Sequence, residues 1–387
     1  MILGVPRERV ATEHRVALTP AGARSLVHQG HVVVIESGAG RAARFADEKY
    51  ADAGARVVYG TDEVFGRADL VIKVSALAAE EVPHLREGQA ILAFHHLAAA
   101  SRSHLEALLR RGVTLIGLEI LEDSHGDAPV LHAMSEIGGQ LAVGVAAHQL
   151  QTLSGGRGIL LGGSIGIPPA HVVILGAGVS GVAAARRAVG NGAQVTLLDT
   201  SLTALRRADE IFGRGIVTEV SHLASVDRAV AYADVVIGAV LVRGERAPLI
   251  VTREVVRRMK PGAVIIDLAI DQGGCVETSR PTTLADPVFV EHEVVHCAVP
   301  NLSSAVARTA SLALTYAALP FVETLAARGL DSTLMREPGF ARGLYLYQGE
   351  LVCPSVGRAF GLRATAIGEI VGAPQPMAPS AAAGRRP

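Results

Sequence analysis

The stretch Val172-Val173-Ile174-Leu175-Gly176-Ala177-Gly178-Val179-Ser180-Gly181, running on into Val182-Ala183-Ala184-Ala185-Arg186-Arg187, decides the fold. Its four leading apolar residues read as a strand buried on both faces, and the Ala/Arg-rich run reads as a helix. The turn between them has the spacing G-x-G-x-x-G. Gly176 permits the tight turn, Gly178 lets backbone approach a pyrophosphate, and Gly181 lets the helix pack closely on the strand. Val179 and Ser180 open the helix, whose first turn offers free N–H groups and the positive end of its dipole to an anion. A second strand, 195–199, ends in Asp199, 23 residues beyond Gly176. That is the spacing of a carboxylate that accepts hydrogen bonds from ribose hydroxyls. A carboxylate there repels a 2′-phosphate, so the pattern favours NAD over NADP.

Outward from this unit, short Val/Ile/Leu runs alternate with helical patterns. One series of predicted strands is 2–5, 31–35, 70–74, 90–94 and 114–118. The other is 172–175, 195–199, 235–239, 263–266 and 294–298. Segments 20–29, 103–111 and 181–190 read as helices. Alternation of this kind implies parallel sheets with right-handed crossovers, and two series imply two Rossmann-like, doubly wound α/β domains with a cleft between them. The glycines at 155–158 and 162–163 and the pair Pro168-Pro169 punctuate the junction. A helical stretch at 309–328 returns the chain toward the first domain. From Gly372 onward the composition is that of a disordered tail.

Composition bounds the function. Of 387 residues, 49% are hydrophobic and 19% charged, with mean hydropathy +0.35, so the chain can build large cores. The formal net charge is −1, which leaves no electrostatic footprint for nucleic acid or an anionic membrane. Cys275, Cys297 and Cys353 are too few and too scattered for a disulfide scaffold or a zinc site, as expected of a protein of a reducing, cytoplasmic compartment. No apolar run is long enough to be read as a membrane span.

Three clusters stand at predicted strand ends, where open α/β sheets bind ligands. Arg15, after the first strand, is suited to hold a carboxylate bidentately. His95 and His96 follow strand 90–94, where a histidine can exchange protons near neutral pH. Asp271 lies in Asp271-Gln272-Gly273-Gly274-Cys275, whose glycines allow close approach of backbone to a ligand. Cys275 has no neighbouring base in sequence and reads as buried packing.

Over about residues 1–370 the sequence resembles the alanine dehydrogenase and transhydrogenase α-subunit family, and the alanine dehydrogenase branch more than the other. The matching segments are Gly4-Val5-Pro6-Arg7-Glu8, Arg15-Val16-Ala17-Leu18-Thr19-Pro20, His96-Leu97-Ala98-Ala99 and Met134-Ser135-Glu136. They continue through the glycines at 155–163, the turn at 176–181, Met259-Lys260-Pro261-Gly262 and Asp271-Gln272-Gly273-Gly274-Cys275. The resemblance implies reversible, NAD-dependent oxidative deamination of an L-amino acid to a 2-oxo acid and ammonia. It implies that Arg15 binds the substrate carboxylate, that His96 handles protons at the reacting carbon's oxygen or nitrogen, and that Asp271 activates water. It sets Ser135, Asp199, Leu241 and Val242 beside NAD and Asn301 at the border of nicotinamide and substrate. It also implies a discontinuous substrate domain (1–130 with 306–371), a nucleotide domain (131–305) and a homo-oligomer, hexamer or dimer, with no metal.

The sequence departs from that family in one telling place. Where the family reads Val-Lys-Val-Lys-Glu-Pro, this chain reads Lys73-Val74-Ser75-Ala76-Leu77, so Ser75 stands where the family's substrate-contacting lysine is expected. His132 and Ser303 are further departures. With His132, His95 and Ser75 lining the pocket and Asn301 beside the substrate, one expectation is a substrate more polar or larger than alanine. Alternatives are reductive condensation of an oxo acid with an amine other than ammonia, and an NAD-binding regulatory protein that has lost its chemistry.

Overall fold

The computed structural model describes residues 1–371; the expected tail lies outside the described residues. The chain opens with six strands: β1 (Ile2–Val5), β2 (Val32–Glu36), β3 (Arg56–Val58), β4 (Leu70–Ser75), β5 (Ala90–Phe94) and β6 (Thr114–Gly117). Seven follow: β7 (His171–Leu175), β8 (Gln194–Asp199), β9 (Val217–Val220), β10 (Val235–Gly238), β11 (Val264–Asp267), β12 (Val288–Glu291) and β13 (Val294–Cys297). β14 (Leu344–Tyr347) and β15 (Glu350–Leu351) come last.

These strands form two sheets. One has the order β15-β14-β6-β5-β4-β1-β2-β3 and the other β12-β13-β11-β10-β7-β8-β9. Within each, the pairs are parallel except at one edge, where β14 runs antiparallel to β6 and to β15, and β12 antiparallel to β13. The first sheet thus takes strands from both ends of the chain. β4, β5, β10 and β11 are buried along their whole length, which is why their sequences are mostly apolar instead of alternating, with Lys73, Ser75 and Asp267 as the polar residues among them.

Two long helices join the sheets. Pro129–Gln149 packs against the nucleotide-turn helix Val179–Gly190 and against Ala307–Arg328, which carries the chain back to the first sheet. Pro129–Gln149 and Leu302–Arg328 are long and apolar enough to cross a membrane by length and composition. Ala310, Leu314, Val322 and Leu325 of the second are buried in the core of the first sheet. Because the strands within each sheet are largely parallel, their C-terminal ends collect along one edge. The loops after β1, β5, β7, β10, β11 and β13 meet in a common cleft.

Candidate active site

The nucleotide turn is built as its glycines require. Gly176 has φ +104, and a Cβ there would lie 2.5 Å from the Ala239 carbonyl oxygen. A Cβ on Gly181 would fall 1.8 Å from the Gly176 carbonyl oxygen, so Gly181 serves helix–strand packing. A Cβ at Gly178 would meet nothing within 4 Å. There the backbone faces an open groove of about 390 Å³, which Gly176, Val179, Ser180 and Asp199 also line. The Asp199 carboxylate accepts the Ala177 N–H at 2.6 Å and the Ser201 N–H at 2.7 Å. Those two bonds fix its direction and leave its other lone pairs for a ribose. An open cradle at the helix N-terminus and an acid at the end of the second strand together fit a dinucleotide.

Leu241 and Val242 line the same groove, and Ser135 and Leu241 border both this groove and the next pocket. His132 lies on the nucleotide groove and not on the pocket holding Arg15, His96 and Asp271.

That second pocket is small, about 110 Å³. Arg15 is 2% exposed. Its Nε and one terminal nitrogen donate to Glu13 at 2.7 and 2.5 Å, and its other terminal nitrogen donates to Ser303 Oγ at 2.9 Å and approaches Met134 Sδ at 3.5 Å. Burial alone would raise the Glu13 carboxyl. The Arg15 guanidinium, with a hydrogen bond from Ser75, instead holds it below the usual carboxylate range. Ser75 therefore stands behind Arg15, with its hydroxyl donating to Glu13 at 3.1 Å. Beside it, Lys73 is consumed by Glu81 at 2.6 Å and Glu8 at 3.5 Å.

His96 follows β5 in a left-handed backbone conformation (φ 44, ψ 41), its ring stacked on Phe94 with centroids 6.1 Å apart. Asp271 sits on the single turn Ile270–Gln272 after β11, and its carboxylate accepts the Asn301 N–H at 3.2 Å. Desolvation raises its pKa above the usual value, while the neighbouring His96 and Arg15 pull it back. A carboxyl raised toward neutrality, an imidazole and a guanidinium thus converge on one pocket, next to the nucleotide groove. That combination can bind a carboxylate and move protons at an adjacent carbon.

A wider cleft of about 610 Å³ reaches His96 and Asp271 as well. It is lined by Leu77, Val82, Pro83, His95, Ala100 and His104. His95 is buried, and burial pushes it down to about 4, so it is a neutral imidazole. Cys275 is fully buried beside Asp267, and both burial and that carboxylate push its thiol well up, which makes it unreactive packing. Glu13 and Glu119, which no motif marks, contact Arg15 and the His96 backbone. Glu13 stands in the loop that follows β1, and Glu119 two residues past β6.

The chain matches the family models described as alanine dehydrogenase/PNT, N-terminal domain, over residues 4–138, and alanine dehydrogenase/PNT, C-terminal domain, over residues 142–354. It is 42% identical over 362 residues to an alanine dehydrogenase of Mycolicibacterium smegmatis, covering 94% of this chain and 97% of that one. It is 44% identical over 372 residues to one of Halomonas elongata, covering 96% and 100%. A solved L-alanine dehydrogenase superposes with a TM-score of 0.86 at 43% identity, covering 93% of this chain and 99% of that one. A transhydrogenase from Sinorhizobium meliloti superposes at 0.75 with 26% identity, covering 92% and 100%.

Proposed function

The chain belongs to the alanine dehydrogenase/PNT family, and from that premise we propose that it interconverts a small L-amino acid with its 2-oxo acid, using ammonia as the nitrogen source. It is an NAD-dependent oxidoreductase acting on CH–NH2 groups. The observation that carries the substrate reading is the meeting of Arg15, His96 and Asp271 around one pocket of about 110 Å³ beside the nucleotide groove. That volume suits an acid of a few heavy atoms.

In the reductive direction a 2-oxo acid, ammonium, NADH and a proton give the amino acid, NAD and water. The nicotinamide, when bound, supplies or accepts the hydride. The remaining work belongs to side chains. Arg15 holds the substrate carboxylate through the N–H groups that Glu13 and Ser303 leave free. His96 donates to the oxo oxygen and gives it a proton as the carbinolamine forms. Asp271 takes a proton from the attacking nitrogen and assists departure of water; its raised pKa brings that exchange closer to neutral pH. Placement of the reacting groups and fixed charge around the iminium supply the rate.

The expectation of a more polar substrate draws little support from the pocket. The hydroxyls of Ser75 and Ser303 are already bonded to Glu13 and Arg15, and His132 faces the nucleotide groove. Size is the better discriminator. A larger side chain, or a primary amine in place of ammonia, finds room in the cleft of about 610 Å³ that shares His96 and Asp271. That cleft is the observation favouring a reductive-condensation reading. NADH oxidation with 2-oxo acids of increasing length, each with ammonium or with a primary amine, separates the two. Turnover confined to short acids with ammonium supports the first reading, and faster turnover with an amine supports the second.

A further inference from the structure

Glu119 lies two residues beyond β6 and is 1% exposed. One of its carboxylate oxygens, Oε1, accepts the backbone N–H of His96 at 2.5 Å and the hydroxyl of Tyr345 at 2.9 Å. The same oxygen is 3.9 Å from His96 Nδ1. The second oxygen, Oε2, is buried and has no partner among the described residues, and the same holds for His96 Nδ1. One carboxylate thus carries a buried oxygen without a partner and holds its other oxygen 3.9 Å from a buried imidazole nitrogen that also lacks one. Native structures rarely leave such atoms apart without a reason.

We propose that Glu119 is a positioning residue for the reaction: it accepts a hydrogen bond from His96 Nδ1–H, turns Nε2 toward the substrate, and balances the charge of His96 when the imidazole is protonated. The assignment rests on the reading that His96 handles protons. It follows the general rule that the partner of one ring nitrogen fixes which nitrogen is free to react. The backbone contact adds to it. His96 has a left-handed φ of 44, unusual for a residue with a Cβ, and Glu119 grips the N–H of that same residue. Tyr345, on β14 of the C-terminal return, anchors the carboxylate, so a segment more than 220 residues away in sequence helps orient the proton carrier. Burial and the Glu119 charge push the Tyr345 hydroxyl well up, so it stays a neutral donor.

The groups facing this pair are few. Asp271 and Arg15 line the pocket on the other side of His96, and His104 lies across the wider cleft. His95, neutral, touches Tyr345 edge-on with centroids 6.1 Å apart, and Cys353 lies near the Tyr345 hydroxyl. Among these, Glu119 is the acid held against the Nδ1 side.

Glu119→Gln keeps the shape and an acceptor oxygen while removing the charge. The test compares it with Glu119→Asp and Tyr345→Phe. In the substrate-free proteins, 15N NMR of His96, identified by its loss in His96→Ala, reads the tautomer and the titration midpoint. The parent is expected to carry the proton on Nδ1 when neutral. In Glu119→Gln the midpoint, and the matching limb of the pH–rate profile, are expected to move about one unit or more to lower pH. NADH affinity is expected to hold, and Glu119→Asp to recover part of the shift. An Nε2–H tautomer in the parent, or a midpoint unmoved in folded Glu119→Gln, overturns the proposal. Because the NMR readout needs no substrate, failure of the substrate reading and failure of this assignment are separable.

Discussion

Ser75 Oγ lies 3.1 Å from the Glu13 carboxylate that also grips Arg15 through hydrogen bonds of 2.7 and 2.5 Å. The arginine proposed to hold the substrate is therefore balanced by an acid whose remaining partner is a neutral hydroxyl. No surplus positive charge is left for an incoming carboxylate. A lysine at this position gives Glu13 a second cation and restores that surplus. Ser75→Lys is expected to lower KM for a short 2-oxo acid several-fold and to raise kcat in NADH-dependent amination, read by steady-state kinetics. A folded Ser75→Lys enzyme with unchanged kcat/KM contradicts this reading of the charge balance.

Glu13 also serves the fold. Both side chains of its ion pair with Arg15 are almost fully buried. Glu13→Gln leaves a buried guanidinium uncompensated and is expected to cost about 3–5 kcal/mol, measured by denaturant unfolding. The sign with pH follows from the depressed carboxyl. The stability it contributes is complete above the ordinary carboxylate range and is lost as pH falls through the depressed value. The parent is expected to lose more stability on acidification than Glu13→Gln does.

Asp271 has the opposite sign. Desolvation raises its carboxyl, so the folded state binds that proton more tightly than the unfolded chain does. Its effect on stability becomes unfavourable as pH rises through the ordinary range to the raised value. Asp271→Asn keeps an acceptor for the Asn301 N–H and removes the buried charge. The variant is expected to have a Tm at neutral pH equal to or above that of the parent, while kcat falls about 10²-fold or more with NADH affinity unchanged. Near-normal turnover in this variant removes Asp271 from the mechanism.

Asp199 tests the nucleotide side. Its carboxylate, directed by the Ala177 and Ser201 N–H groups, favours a ribose hydroxyl and repels a 2′-phosphate. Calorimetric titration is expected to show tighter binding of NADH than of NADPH, with the gap narrowed in Asp199→Ser. Equal affinities in the parent contradict the role given to this acid.

The interior strands were legible because burial on both faces leaves a continuous apolar run. The predicted strand 90–94 coincides with β5, and 70–74 falls one residue short of β4. The strands passed over have other reasons. β3, β9 and β12 are short edge strands with exposed residues and no apolar run longer than three residues. β14, Leu344-Tyr345-Leu346-Tyr347, is wholly buried, yet it pairs antiparallel to β6 across more than 220 residues, a partnership no local pattern announces. The same holds at the site. Arg15, His96 and Asp271, singled out by their places after strands, line one pocket. The satisfied states of Ser75 and Ser303, the direction of His132 and the grip of Glu119 on His96 depend on contacts between distant segments.

The most direct measurement of the proposed chemistry is NADH oxidation by the parent, His96→Ala and Asp271→Asn proteins, with a short 2-oxo acid in the presence and absence of ammonium. Turnover in the parent is expected to require both the oxo acid and ammonium. Each substitution is expected to lower kcat about 10²-fold or more while NADH still binds. A parent protein that binds NADH yet oxidises it with no 2-oxo acid and nitrogen donor, or one whose turnover survives both substitutions, contradicts that chemistry.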